Sequence, residues 1–137
     1  MYAFEINYRV CYGDTDQMGV VYYGNYPRLY ELGRTEMLRK LGLSYKEIEA
    51  MGITLPVSSM NVQYHRPAYY DDLLTIRTVI KEVPRSRIQF FYEIINEQGQ
   101  VINTGETVLA FINNSSNRPT RAPKEVLQVL APHFSSN

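Results

Sequence analysis

The chain has 137 residues, with 14 basic and 14 acidic side chains and a hydrophobic fraction of 45%. That length suits one core, so we expect residues 1–137 to form one domain. The balanced charge argues against a protein that holds nucleic acid through its phosphates. No apolar run approaches the roughly 20 residues that a membrane-spanning helix needs, which argues against membrane insertion. A single cysteine, Cys11, argues against a disulfide framework and against a zinc site built from several cysteines. The two histidines, His65 and His133, lie far apart in sequence, which argues against a metal site built from histidines.

The N-terminus lacks the basic start and apolar core of a secretory signal, so we expect a cytoplasmic location. The composition is unusual in having 12 tyrosines and no tryptophan. Tyrosine combines an apolar ring with a hydroxyl group, which suits a half-exposed sheet, an interface or a ligand pocket. Composition alone does not distinguish these three.

The first part of the chain reads as a strand followed by a long helix. Apolar and polar side chains alternate over residues 4–12, which predicts a strand with one buried face. After a turn-rich stretch, apolar residues recur at helical spacing over residues 26–41. Asn25 is the expected N-cap and Gly42 the expected C-terminal stop. Gly33 is unfavourable in mid-helix, which predicts close packing of the helix against a flat surface.

The second part reads as four strands with short helices at each end. A capping box predicts a short helix over residues 44–51. The expected strands cover residues 53–64 with a bulge near Ser58 and Ser59, residues 73–83, residues 88–94 and residues 101–112, and a closing helix covers residues 123–130. A helix followed by an antiparallel meander is an α+β arrangement with the helix on one sheet face. Large apolar residues on both faces of the third and fourth strands predict a dimer.

The segment between the first strand and the long helix is the main candidate for chemistry. Residues 12–26 carry two carboxylates, Asp14 and Asp16, beside tyrosine, valine and methionine side chains. A helix N-terminus stabilises a developing anion, and a desolvated carboxylate can act as a base or nucleophile. The same residues are also typical of a simple turn. Their spacing leaves both interpretations open.

Three stretches carry a resemblance to a known family. They are Asp-Thr-Asp-Gln-Met-Gly-Val-Val-Tyr-Tyr-Gly-Asn-Tyr at 14–26, Glu-Leu-Gly-Arg-Thr-Glu at 31–36 and His-Arg-Pro-Ala-Tyr-Tyr-Asp-Asp at 65–72. Together they resemble the 4-hydroxybenzoyl-CoA thioesterase family of hotdog-fold proteins, over about residues 4–130. The resemblance implies a long central helix wrapped by a curved antiparallel sheet of about five strands. It also implies homodimers that often pair into tetramers, with acyl-CoA sites at the dimer interface.

The same resemblance implies an activity and its residues. The expected reaction is hydrolysis of a small or medium acyl-CoA thioester, with an aryl acyl group left open. No cofactor is expected beyond the coenzyme A of the substrate, and no metal. The catalytic aspartate falls on Asp16, as nucleophile or general base, and Asp14 becomes a supporting turn residue. The backbone amide that polarises the carbonyl falls on Tyr23, where many relatives carry a histidine.

Two sets of binding residues complete the expectation. The candidate acyl pocket residues are Met18, Val21, Tyr22 and Tyr26. Coenzyme A carries phosphates, so two cationic loops are its candidate contacts, through Arg85, Ser86 and Arg121. For His65 a structural, hydrogen-bonded role is favoured over a catalytic one.

Two other functions compete with hydrolysis. One is a non-catalytic hotdog protein that binds acyl-CoA or acyl carrier protein. The other is a hotdog dehydratase or hydratase, which we place last because such sites usually need a histidine beside an acidic residue and no histidine lies near the motif. Acyl carrier protein stays open as a thiol carrier for the hydrolase as well.

Overall fold

The computed structural model describes residues 1–134, in which one long helix lies on an antiparallel sheet. The strands are β1 Tyr2–Arg9, β2 Ile53–Thr54, β3 Val57–Tyr64, β4 Leu73–Ile80, β5 Arg87–Ile95, β6 Val101–Ala110, β7 Ile112–Asn113 and β8 Arg118–Pro119. The helices are α1 Tyr26–Lys40, α2 Tyr45–Ala50 and α3 Lys124–Leu130. No helix in this range has both the length and the apolar character needed to cross a bilayer.

The sheet order differs from a simple meander. The five long strands lie in the order β1-β4-β5-β6-β3, and all neighbours are antiparallel. Strands β4, β5 and β6 follow one another as predicted, whereas β3 pairs with β6 at the far edge. The chain therefore crosses the sheet between β3 and β4, and β1 closes the other edge. The short strands β2, β7 and β8 form a separate small sheet. The predicted α+β architecture is confirmed.

Several strands end earlier than their hydrophobic pattern predicts. Strand β1 stops at Arg9 because a 3-10 turn over Tyr12–Asp14 takes over, in which the Asp14 carboxylate accepts the Cys11 amide at 2.8 Å. Strands β4 and β6 end three and two residues before the predicted limits. The predicted bulge is confirmed, since the register between β3 and β6 shifts between Val57 and Ser59.

Helix α1 begins and ends close to the predicted residues. Asn25 occupies the N-cap position, but its side chain makes no capping bond and instead donates from Nδ2 to the Asp14 carbonyl oxygen at 2.8 Å. At the other end Gly42 adopts φ +92°, and the Leu43 amide donates to the Leu38 carbonyl at 2.9 Å. This left-handed residue closes the helix as the sequence predicts.

Two glycines allow the helix and sheet to touch. A Cβ on Gly33 would overlap Thr78 Oγ1 and lie 2.9 Å from Ile76 Cγ2, both on β4. A Cβ on Gly105 of β6 would overlap the ring of Tyr30 from α1. The prediction that Gly33 marks close packing on a flat surface is therefore confirmed, and the sheet contributes a glycine of its own.

The sheet face opposite α1 mixes apolar and charged groups. Val79 is buried and Phe91 half-buried there. Arg77 pairs with Glu93 at 3.3 Å, and Lys81 Nζ lies 3.8 Å from the centroid of the Phe91 ring. The expectation of two apolar faces is thus only partly right, because charged side chains interrupt the second face.

Alkaline pH is expected to unfold the protein through its buried tyrosines. Burial raises the pKa of Tyr26 and of Tyr45 to about 12, and it raises the pKa of Tyr30 and of Tyr92. Their contribution to stability is complete below pH 10, the value for an unfolded tyrosine, and is lost as pH rises from about 10 towards 12. The free energy of unfolding, measured by urea denaturation, should fall over that window. A free energy that stays constant to pH 12 would contradict this.

Candidate active site

Residues 14–22 form a small hairpin between β1 and α1, here called the Asp16 hairpin. The Asp16 amide donates to the Val20 carbonyl at 2.9 Å, and the Tyr22 amide donates to the Asp14 carbonyl at 2.9 Å. Gly19 adopts φ +78° at the tip, a conformation that glycine reaches without strain. These bonds give the acidic segment a defined backbone geometry rather than that of a loose turn.

The Asp16 hairpin is fixed to the loop over residues 65–72. The Val21 amide donates to the Ala68 carbonyl at 2.8 Å, and Val20 forms an isolated bridge with Tyr69. Within that loop the Asp72 carboxylate accepts the Tyr69 amide at 2.8 Å. The first and third stretches of the sequence motif are therefore neighbours in space.

Asp16 is the accessible carboxylate of the pair. It is half-buried, and its Oδ1 accepts the Met18 amide at 2.9 Å. No salt bridge among residues 1–134 involves Asp16. The pKa of the Tyr22 phenol is raised, first by its contact with the Tyr23 side chain and to a smaller extent by the negative charge of Asp16. Asp16 therefore has free acceptor capacity and a phenol within electrostatic range.

Asp14 is the buried carboxylate of the pair, with 6% exposure. Its Oδ2 accepts the Tyr8 hydroxyl at 2.7 Å and the Cys11 amide at 2.8 Å. Its Oδ1 accepts Arg28 Nη2 at 2.8 Å. With three donors, one of which is the cation of an ion pair, Asp14 is bound on both oxygens. This arrangement agrees with the supporting role expected for it and leaves Asp16 as the reactive candidate.

The backbone at Tyr23 forms the entry to α1. A 3-10 turn over Tyr23–Asn25 leads directly into the 15-residue helix. The Tyr23 carbonyl accepts the Tyr64 hydroxyl at 2.9 Å, whereas the Tyr23 amide donates to no acceptor within residues 1–134. The positive end of the helix dipole adds to that unpaired N–H. The site therefore offers a backbone donor to a developing negative charge.

The four residues predicted for the acyl pocket divide into two groups. Met18 and Tyr22 are exposed, at 80% and 44%. Val21 and Tyr26 belong to the core, at 6% and 3%, and the Tyr26 ring meets Tyr64 edge-on at 5.6 Å. Burial argues against direct acyl contacts from Val21 and Tyr26 in a single chain, since little of either surface is free. Both lie in the core between the hairpin and the start of α1, and their place in an acyl pocket stays a prediction.

The two cationic loops are neighbours. The Ala122 amide donates to the Arg85 carbonyl at 2.6 Å, which joins the segment that follows Arg121 to the β4–β5 turn. A groove of about 560 Å³ runs along that turn, with Lys81, Arg85, Ser86 and Arg87 among its lining residues. We call it the cationic groove. It lies at the opposite end of the sheet from the Asp16 hairpin, since β3 separates them by eight residues, about 25 Å.

The structure agrees with the role predicted for His65 and adds three residues to the site. His65 Nε2 lies 2.9 Å from Thr104 Oγ1, in agreement with a structural, hydrogen-bonded role. Tyr8, Arg28 and Tyr64 hold the site, and periodicity does not single them out. A weak signal exists for Arg28, because a cation in the first turn of a helix opposes the helix dipole. None exists for Tyr64, whose contact depends on the crossing of β3 to the far edge.

Comparison with known proteins decides the family. The sequence model described as the Thioesterase-like superfamily matches residues 10–130. The chain belongs to this superfamily. Its match includes the whole Asp16 hairpin, helix α1, the loop over residues 65–72 and both cationic loops.

Individual known proteins match this chain over most of their length. The acyl-CoA thioester hydrolase YbgC of Escherichia coli is 34% identical over 119 residues, covering 87% of this chain and 89% of YbgC. The crystal structure of a DHNA-CoA thioesterase from Staphylococcus aureus matches with a TM-score of 0.86 and 32% identity, covering 100% of this chain and 98% of that one. The 4-hydroxybenzoyl CoA thioesterase, solved as an Asp-to-Asn mutant with 4-hydroxybenzoyl CoA, matches with a TM-score of 0.82 and 26% identity, covering 93% and 97%. The predicted hotdog thioesterase fold and enzyme class, a thioester hydrolase, are confirmed.

Proposed function

We propose that the protein hydrolyses a small or medium acyl-CoA thioester, alkyl or aryl, to the free acid and coenzyme A. The observation that carries this proposal is that one segment holds both an accessible carboxylate, that of Asp16, and a free backbone donor, the Tyr23 amide at the start of α1. The names of YbgC and of the two structural neighbours support the substrate class. No metal or further cofactor is part of the proposal, and the cytoplasmic location stays a prediction.

The chemistry follows from the two groups. The thioester carbonyl oxygen accepts the Tyr23 amide, and the negative charge that grows on it is stabilised by that bond and by the helix dipole. One such donor is worth about 2.7–4 kcal/mol of barrier. In one route Asp16 attacks the carbonyl carbon, expels the coenzyme A thiolate and leaves a mixed anhydride that water cleaves. In the other, Asp16 takes a proton from the attacking water, the C–S bond breaks, and Asp16 passes the proton to the departing thiolate. Both routes consume one water and return the Asp16 carboxylate.

Assembly into a dimer through β3 is part of the proposal. β3 is an edge strand of eight residues without a single charged side chain or proline, whereas the other edge, β1, carries Glu5 and Arg9. An edge strand that lacks charges is open to pairing with another chain. Val57, Met60 and Tyr64 are large apolar residues exposed on this strand. A second copy of β3 is the partner that would cover them.

The direction of β3 explains why a site needs two chains. Its Tyr64 end contacts Tyr23 beside the Asp16 hairpin, and its Val57 end pairs with β6 near the cationic groove. A two-fold symmetric, antiparallel pairing of two β3 strands brings the Tyr64 end of one protomer to the Val57 end of its partner. The Asp16 hairpin of one protomer then faces the Arg85, Ser86 and Arg121 loops of the other. A coenzyme A molecule whose thioester lies at Asp16 would then direct its phosphates towards these loops.

A panel of thioesters tests the proposed function. Purified protein is offered acyl-CoA substrates from acetyl to palmitoyl, together with benzoyl-CoA and acyl carrier protein loaded with the same groups. Thiol release is followed with a thiol-reactive dye. We expect catalytic release from at least one acyl-CoA. Binding without turnover, seen as a raised melting temperature and no thiol release on any substrate, would overturn hydrolysis in favour of a binding protein.

A further inference from the structure

Three side chains from three segments close into a ring beside the Asp16 hairpin. Arg28 Nη2 donates to Tyr8 Oη at 2.7 Å and to Asp14 Oδ1 at 2.8 Å. The Tyr8 hydroxyl donates in turn to Asp14 Oδ2 at 2.7 Å. Each group thereby contacts the other two, and the Arg28 guanidinium also lies 5.5 Å from the centroid of the Tyr8 ring. The ring joins β1, the hairpin and the first turn of α1.

The position of Arg28 is unfavourable for the helix alone. It lies in the first turn of α1, which contains no acidic residue, and a cation there opposes the helix dipole. Its side chain is 49% exposed, while that of Asp14 is 9% exposed. Pairing with the buried Asp14 carboxylate compensates both the position of the cation and the burial of the anion. The ion pair with Asp14 thus stabilises Arg28 in a turn where the helix dipole alone disfavours a cation.

The ring is connected to the reacting groups through the backbone of Asp14. The Asp14 carbonyl accepts the Tyr22 amide at 2.9 Å and Asn25 Nδ2 at 2.8 Å. Tyr22 directly precedes Tyr23, whose amide is the proposed donor to the thioester, and Asn25 follows Tyr23 by two residues. The same Asp14 precedes Asp16 by two residues in one strand of the hairpin. Movement of Asp14 would therefore shift the Asp16 carboxylate and the Tyr23 amide together.

We propose that Arg28 is a positioning residue that acts through Asp14 to hold the Asp16 carboxylate and the Tyr23 amide in their relative positions. The inference rests on the proposed hydrolysis. Arg28 touches no reacting atom in this role. Its guanidinium supplies a planar pair of donors from one nitrogen to two oxygens, and it neutralises the carboxylate that stands next to Asp16 along the hairpin strand. The role requires a positive charge and two directed donors held in the plane of the guanidinium group.

Substitution of Arg28 with methionine tests this role kinetically. We expect kcat to fall about tenfold, because small displacements of reacting groups are costly, while KM for the acyl-CoA stays within about twofold. Arg28→Lys, which keeps the charge but loses the planar guanidinium and its two directed donors, should recover part of the loss. The control is Arg39→Met on the same helix, which breaks an exposed pair with Glu36 at 2.6 Å. An unchanged kcat in Arg28→Met, or a rise in KM alone, would overturn the role.

A double-mutant cycle tests the route through Asp14. If Arg28 acts through Asp14, the variant with both Arg28→Met and Asp14→Asn should have the kcat of Asp14→Asn alone, since contacting residues couple. Multiplicative loss of kcat would show that Arg28 acts by another route, and would overturn the proposal.

Hydrogen exchange separates the positioning role from the proposed function. In Arg28→Met, amides of residues 11–25 should exchange faster than in the wild-type chain, while those of β4, β5 and β6 stay protected. Unchanged exchange in residues 11–25 would overturn the positioning role whatever the activity. If the wild-type chain releases no thiol from any substrate but the exchange responds as expected, the proposed hydrolysis fails and the structural link between Arg28 and the hairpin stands.

Discussion

Replacing Asp16 with asparagine is expected to lower kcat for acyl-CoA hydrolysis by a factor of roughly 10² to 10⁴, the usual contribution of a positioned acid–base group. Asparagine has nearly the same shape and retains a side-chain oxygen. That oxygen can still accept the Met18 amide, as Asp16 Oδ1 does at 2.9 Å, so the tip of the hairpin stays bonded. What it lacks is the negative charge that attacks the carbonyl or takes a proton from water. Steady-state thiol release, with circular dichroism to verify the fold, measures the effect.

A matched control exists on the neighbouring loop. Asp71 is exposed, and its side chain makes no hydrogen bond or ion pair with another described residue. Its φ of +70° is one that asparagine also tolerates, so Asp71→Asn changes charge without strain. We expect kcat within about twofold of wild type. Near-normal hydrolysis by Asp16→Asn would exclude Asp16 as the reacting group.

Reversing the charge of two arginines at the cationic groove, Arg85 and Arg121, is expected to raise KM for acyl-CoA by roughly 10- to 100-fold. Arg85 lines the groove, and Arg121 precedes Ala122, which is bonded to the Arg85 backbone. The variant Arg85→Glu/Arg121→Glu would place two carboxylates where the coenzyme A phosphates need donors, and loss of a charge-assisted bond costs about 1.5–3 kcal/mol. Because these loops are remote from the thioester, kcat at saturation should change little.

The control for this variant matches its change in net charge. Lys40 and Lys46 are exposed residues at the end of α1 and on α2, without an ion pair among the described residues. Lys40→Glu/Lys46→Glu should leave KM within about twofold, apart from a weak effect of long-range charge that added salt removes. Equal increases in KM for the two variants would assign the effect to net charge and remove the groove from the binding site.

Much of the fold is predictable because local patterns agree with tertiary packing. The 3.6-residue spacing of α1 places Gly33 against β4, where only a glycine fits over Thr78 and Ile76. The order of strands is less predictable. Nothing local shows that β3 pairs with β6 rather than with β4, since both neighbours offer alternating strands of similar length. The crossing to the far edge depends on β3–β6 contacts between distant residues, from Tyr64 with Asn103 to Val57 with Leu109.

The candidate site is predictable in part. Sequence spacing does not distinguish Asp14 from Asp16 as the catalytic candidate, and the resemblance to the family favours Asp16. What separates them physically is the surroundings of Asp14, bonded by Tyr8 from β1 and Arg28 from α1. Those partners are distant in sequence, so no local pattern reveals them. Likewise the exposure of Met18 and the burial of Tyr26 depend on where the 65–72 loop and β3 lie.

Heterodimers provide the most direct measurement of a site shared between two chains. Asp16→Asn and Arg85→Glu/Arg121→Glu chains carrying different affinity tags are co-expressed, and mixed assemblies are purified through both tags. If Asp16 of one protomer acts with the cationic groove of its partner, each mixed dimer contains one intact site. Its kcat/KM should then be about half that of the wild-type dimer, far above either parent. A kcat/KM no higher than the better of the two parent variants would contradict the shared site.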